Sequence, residues 1–239
     1  VVTEMDRRGV TFLHAGNSST AHKEIVWVWR DVIANSTIGT VYLGDKKKGK
    51  DEYTKYCTSY VPDLMNIKSV GKPDLHEVKK WSGYVHSGTR KPACTQFVGA
   101  THLSGNTEER AKHAVLGAQQ RSLPAADAFN HKTGDGYVPA HKGDYHDAID
   151  NRKAYVRLKL HGVCGGMSDL TDKGLRRAAR DASDLGCDGT NYGESRTAPS
   201  FIPHYAQRLS WAAVKGTALT VAGQVAKCAR ARLRRTHAA

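Results

Sequence analysis

The sequence predicts an α/β protein built on a mostly parallel central sheet with helices on both faces. Three observations carry this expectation. Residues 9–45 read as strand, polar loop, helix and strand. Ala154-Tyr155-Val156-Arg157-Leu158-Lys159-Leu160 alternates apolar and polar residues, as a half-buried strand does. Leu175, Ala178, Ala179, Ala182 and Leu185 share one face of a helix over residues 170–185.

Taken in order, the first strand is the β-branched and aromatic run from Gly9 to Leu13. It stops at a cluster of Gly16, Asn17, Ser18 and Ser19, residues that favour tight turns. A loop at the C-terminal end of such a strand is where α/β folds put ligand-binding backbone groups. The helix that follows holds Val26-Trp27-Val28-Trp29-Arg30-Asp31-Val32-Ile33, and the second strand is Thr40-Val41-Tyr42-Leu43, ending at Gly44-Asp45. Residues 46–60 are polar and turn-rich. Asp63 to Val70 reads as the start of a helix, because a negative charge near the N-terminus suits the helix dipole. Gly83-Tyr84-Val85-His86 reads as a short strand meeting a Ser-Gly-Thr turn, Ala93 to Thr101 as a helix behind it, and Ala114 to Ala118 as a further apolar run. Residues 119–153 hold no sustained period of 2 or 3.6, which suits a polar cap or lid between core segments 1–118 and 154–239. The alternating strand ends at His161-Gly162, and the Ala- and Val-rich stretch from Leu209 to Leu233 reads as a last helix.

The chain has 239 residues, enough for one sizeable core or at most two small domains. At 39% apolar and 25% charged it has the composition of a soluble globular protein. No apolar run approaches the roughly 20 residues that span a bilayer, and the first residues carry no signal-peptide pattern. Five cysteines at wide spacing, with no Cys-x-x-Cys, point away from a disulfide framework and from structural zinc, and toward a reducing, cytoplasmic setting. The net charge of +13 is concentrated at Lys46-Lys47-Lys48-Gly49-Lys50 and at Arg230, Arg232, Arg234 and Arg235. It favours anionic partners, although a merely solvated basic surface accounts for it as well. Aromatic residues do not interleave with these blocks as a base-stacking platform requires.

Together these pieces resemble the α/β-hydrolase superfamily. Phe12-Leu13-His14-Ala15-Gly16-Asn17-Ser18-Ser19 is similar to that family's strand and oxyanion loop. Trp29-Arg30-Asp31-Val32-Ile33 is similar to the following helix in the haloalkane dehalogenase and epoxide hydrolase branch, and Thr40 to Asp45 with Gly49-Lys50-Asp51 to the next strand and its turn. Asp63-Leu64-Met65 and then Val85-His86-Ser87-Gly88 resemble the helix and the nucleophile strand. Leu158 to Gly162 with Asp169-Leu170-Thr171 resembles the late strand that carries the acid, and Phe201-Ile202-Pro203-His204 the segment near the catalytic histidine.

The resemblance implies an esterase acting on a small substrate, with Ser87 as nucleophile, His204 as base and Asp169 orienting it, Asp172 being a second choice for the acid. Backbone at Gly16 and Asn17 would form the oxyanion hole. The order Ser, Asp, His is that of the family, and no cofactor or metal is required. Each position also has a plainer reading: turn chemistry for Ser87, a helix cap for Asp169, a surface histidine for His204. Gly162-Val163-Cys164-Gly165-Gly166 offers a competing elbow with Cys164 as the nucleophile. His131, Asp135, His141, Asp144, His146 and Asp147 could supply metal ligands, at a spacing that matches no tight signature. The rival function is binding of RNA or another polyanion through the Arg-rich C-terminal segment.

Overall fold

The computed structural model describes residues 19–44, 61–68, 71–81, 145–186 and 198–236. Helix α1 (Ser19–Ala34) buries Ala21, Ile25, Val28, Trp29 and Val32, a stripe with helical period. Its C-terminal carbonyls are satisfied locally: the hydroxyls of Ser36 and Thr37 donate to the Ile33 carbonyl. Strands β1 (Gly39–Leu43), β2 (Leu64–Lys68) and β3 (Asp74–Trp81) follow. A short helix, α2 (His146–Asp150), leads into β4 (Tyr155–Gly162), and helices α3 (Asp169–Asp184) and α4 (Phe201–Thr236) complete the described chain.

The sheet is not mostly parallel. Its strands lie in the order β1-β2-β3-β4, with β1/β2 and β2/β3 antiparallel and only β3/β4 parallel. Chain connectivity explains this correction. The link from Lys68 to Asp74 is of hairpin length, with Gly71 at φ 103°, whereas a parallel pair needs a crossover of about a dozen residues or more. The connections from Leu43 to Leu64 and from Trp81 to Tyr155 are both long enough for one, so connection length dictates the antiparallel pairing of β2 with β3 alone, and only the second long connection joins a parallel pair. The expected helix from Asp63 is also overturned, since Leu64–Lys68 is an inner strand whose first three residues are buried. A strand with neighbours on both edges and layers on both faces loses the period that would have revealed it.

The three long helices share one apolar core with Leu64 and Val78 of the sheet. The other face packs Met65, Leu75 and Leu158 against Tyr145 and Ala148, at the end of the segment expected to be a polar cap. α3 starts where Ser168 accepts from the Thr171 N–H, and Thr171 in turn bonds both backbone groups of Leu160 in β4. It ends at Gly186, whose φ of 67° suits a left-handed helix stop.

Helices α1 and α4 run antiparallel, joined by Arg208–Asp31 and Asn35–Tyr205 at one end and by Lys215–Glu24 at the other. They approach most closely where Gly216 faces Ala21, so that an added Cβ would overlap Ala21 backbone. Gly216→Leu is therefore expected to force the helices apart and lower the melting temperature by roughly 5–10 °C, as overpacking does. Thermal unfolding by circular dichroism checks this, and an unchanged melting temperature would show that the crossing tolerates a side chain.

Candidate active site

The β2/β3 ladder runs only to Leu64 opposite His76, while β3 continues beside β4 as far as Trp81. At the point where β2 begins, the Asp63 side chain replaces a backbone partner: its Oδ2 accepts the Val78 N–H at 2.8 Å. The Asp63 carbonyl accepts the Gly44 N–H, also at 2.8 Å, which ties the residue to the end of β1. Asp63 is thereby held on the backbone of Val78, the residue after Glu77 in β3.

Alternation along β3 puts Glu77 and Lys79 on one face. The Lys79 ammonium donates to Glu77 Oε1, and the Tyr145 hydroxyl donates to Glu77 Oε2 at 2.6 Å. His22 of α1 lies with Nε2 3.1 Å from Asp63 Oδ2 and 3.1 Å from the Val78 carbonyl. Burial and the neighbouring Asp63 charge push the Glu77 carboxyl above its ordinary range, against the hydrogen bonds from Lys79 and Tyr145. The hydrogen bond to Asp63 raises His22, against its own burial. The Glu77 side chain is 4% exposed, whereas Asp63 is 20% and Lys79 35% exposed. A molecule arriving from solvent thus has access to a carboxylate and an ammonium that the buried glutamate connects.

The donors are nearly all hard oxygens. Among the described residues, no three His, Cys, Asp or Glu side chains gather closely enough to cage a metal by themselves. Magnesium is commonly held through one or two carboxylates, with water and substrate oxygens completing the shell, and Asp63 and Glu77 are near enough to feel each other's charge.

Of the residues singled out from sequence, Gly16, Asn17 and Ser87 lie outside the described residues. Asp169 is exposed at the first position of α3, where Ser168 is the cap, and Asp172 pairs with Arg176 at 2.7 Å. His204 lies in the first turn of α4, edge-on to Tyr205, with its pKa lowered by partial burial and Arg208. Cys164 is an exposed thiol in the turn after β4. His146 and Asp147 belong to α2, and the other four candidate metal ligands lie outside the described residues. Asp63, Glu77, Lys79, Tyr145 and His22 were not expected. The available signal was the acid-apolar-base alternation Glu77-Val78-Lys79, readable only once β3 is recognised as a strand.

A second polar cluster lies on the opposite face of the sheet. Trp29 Nε1 donates to His161 Nε2 at 2.8 Å, and the Lys159 ammonium sits 4.2 Å from the centre of the Trp29 ring. Burial, then the Arg157 charge, lowers Lys159 to about 7, and burial with the Lys159 charge lowers His161 to about 3. His76, also buried, is shifted down in the same way.

Comparisons with protein-family models, curated proteins and solved structures returned no match for this chain.

The depressed histidines set the acid limb of stability. Unfolded histidine binds its proton near pH 6.5, and folded His161 resists it until about pH 3. The stabilisation is full above pH 6.5 and is lost as pH falls toward 3, because the unfolded chain binds more protons across that window. Urea unfolding between pH 7 and 4 should show a steady loss of stability that is shallower in His161→Gln, whose amide oxygen can still accept the indole N–H. Equal pH slopes would refute the assignment.

Proposed function

We propose that this protein is a divalent-cation-assisted phosphodiesterase acting on nucleic acid. The observation that carries the reading is that Asp63, bonded to the Val78 N–H, and Glu77, paired with Lys79, feel each other's charge where β2 stops and β3 continues. Burial, and then the Asp63 charge, disfavour the Glu77 carboxylate, as its upward shift reflects. A hard cation held by both carboxylates would offset that cost. When bound, such an ion supplies Lewis-acid polarisation of the phosphoryl oxygen and lowers the pKa of water.

The chain's own groups account for the remaining needs. Lys79 presents N–H donors beside the position where negative charge grows as water attacks phosphorus. Tyr145 fixes one oxygen of Glu77, and His22 one oxygen of Asp63. They act as positioning residues. The polyanionic substrate follows from the charge of +13 and from the C-terminal part of α4, where Lys227 and Arg230 are exposed and Arg232, Arg234 and Arg235 lie on the same helix. The exposed free thiols Cys164 and Cys228 suit a cytoplasmic setting. No helix among the described residues is long and apolar enough to cross a membrane. The serine-esterase expectation has lost the parallel sheet on which it depended, and this reading replaces its cofactor-free chemistry.

Cleavage of labelled single- and double-stranded DNA and RNA tests the proposal. The wild-type protein should cut with magnesium or manganese and not with EDTA, and Asp63→Asn, Glu77→Gln and Lys79→Ala should each lose at least about a hundredfold in rate. Cleavage unaffected by EDTA, or metal-independent ester hydrolysis with fluorophosphonate labelling of Ser87, would overturn it. In a separate binding measurement, Lys227→Ala/Arg230→Ala should weaken nucleic-acid affinity and reduce the salt slope by roughly one for each phosphate contact removed. An unchanged slope would remove α4 from the interface.

A further inference from the structure

A cavity of about 300 Å³ opens between the C-terminal end of α1, helix α3 and the sheet face opposite the catalytic cluster. Consecutive β3 residues separate the two places, because His76 points into this cavity while Glu77 points to the other face. Five basic side chains line it, four of them full cations and the fifth Lys159, lowered to about 7, and two carboxylates oppose them. Asp74 is shared by Lys68 at 3.1 Å and Arg157 at 2.9 Å. The second carboxylate is Asp181, while Lys173 and Arg177 of α3 are exposed at the rim and Lys159 is buried within.

The polar interior carries a second signal. Both ring nitrogens of His76 are buried without a hydrogen-bond partner among the described residues, and so is Oδ1 of Asn66. Buried polar groups of this kind are nearly always paired, with protein, water or ligand. His76 and Asn66 both line the same basic cavity, the Asn66 oxygen lying toward Gly39 of β1.

We propose that this cavity binds a nucleoside monophosphate at a site separate from the catalytic one. The excess of cationic donors suits a phosphate monoester, whose oxygens accept several charge-assisted hydrogen bonds at once. The acceptor nitrogen of a neutral His76 calls for a donor, which a sugar hydroxyl or a base amine supplies and fully ionised phosphate alone does not. The volume is at the small end of ligand sites, enough for one nucleotide and not for an oligonucleotide. Burial, with the charges of Lys159, Arg157 and Lys68, keeps His76 neutral, so it retains one donor and one acceptor.

Isothermal titration with adenosine 5′-monophosphate, adenosine and inorganic phosphate tests the site, supported by nitrogen NMR of the His76 ring. Saturable binding of the monophosphate is expected, weaker by at least about tenfold for adenosine and for phosphate, and weaker by a similar factor in Lys173→Ala/Arg177→Ala. The His76 ring signals should move on titration, and Glu77→Gln should bind as the wild type does. These outcomes are independent of whether the protein cleaves nucleic acid. The proposal is overturned if the monophosphate does not bind at millimolar concentration, if phosphate binds as tightly, if the rim double variant binds equally, or if binding disappears in Glu77→Gln.

Discussion

The hydrogen bond from the Val78 N–H to the Asp63 carboxylate is the constraint around which this structure is arranged. A hydrogen bond to a charged group contributes about 1.5–3 kcal/mol, and its placement matters more than its strength. It substitutes a side chain for the next rung of the β2/β3 ladder, so β2 begins there while β3 carries on. The carboxylate that closes the ladder is thereby fixed on the backbone of Val78, between Glu77 and the Lys79 that pairs with it along the strand. An arrangement that a folding chain would avoid for stability alone is held by backbone hydrogen bonds from β1 and β3 and by side chains from α1 and the segment before α2.

The mixed topology gives this edge its surroundings. β3 has an antiparallel neighbour over its first residues and a parallel neighbour over its whole length, so it is anchored on one side where it is free of β2 on the other. Its two faces serve different chemistry. One carries Glu77 and Lys79 with Tyr145, and the other carries His76 beside Arg157 and Lys159 of β4. The helical layer covers the second face. The Trp29 indole holds His161 and also lies against the Lys159 ammonium, which keeps a polar row buried inside an otherwise apolar interface.

Much of the helical layer was legible in the sequence. α1 and α3 each bury one stripe, so their apolar residues recur with helical period, whereas α4 buries one only over its first half and was legible from its Ala- and Val-rich composition beyond Leu209. β4 alternates because its start is half exposed, and β1 is recognisable from its β-branched and aromatic residues. β2 was misread since Leu64, Met65 and Asn66 are all buried, which erases alternation, and since Asp63 suited a helix N-terminus. β3 went unread because Asp74, Glu77, Lys79 and Lys80 make it look like a loop, and the partners that accommodate those charges, such as Arg157 and Tyr145, come from distant parts of the chain. The Asp63, Glu77 and Lys79 site was hidden for the same reason. Asp63 is distant in sequence from the other two, and only the unrecognised strand pairing brings it to the Val78 backbone. The expected parallel sheet rested on the strand, loop and helix order of residues 9–45 and on resemblance in short blocks, whereas the hairpin-length link from Lys68 to Asp74 dictated antiparallel pairing of β2 with β3.

The central claim is that Asp63 and Glu77 together form a seat for a hard divalent cation. Titration of the metal-free protein with manganese, followed by electron paramagnetic resonance, tests it without reference to any substrate. The account predicts a single saturable site, weakened at least about tenfold by Asp63→Asn and by Glu77→Gln and also by competing magnesium. Equal manganese binding by the wild-type protein and both variants would contradict it.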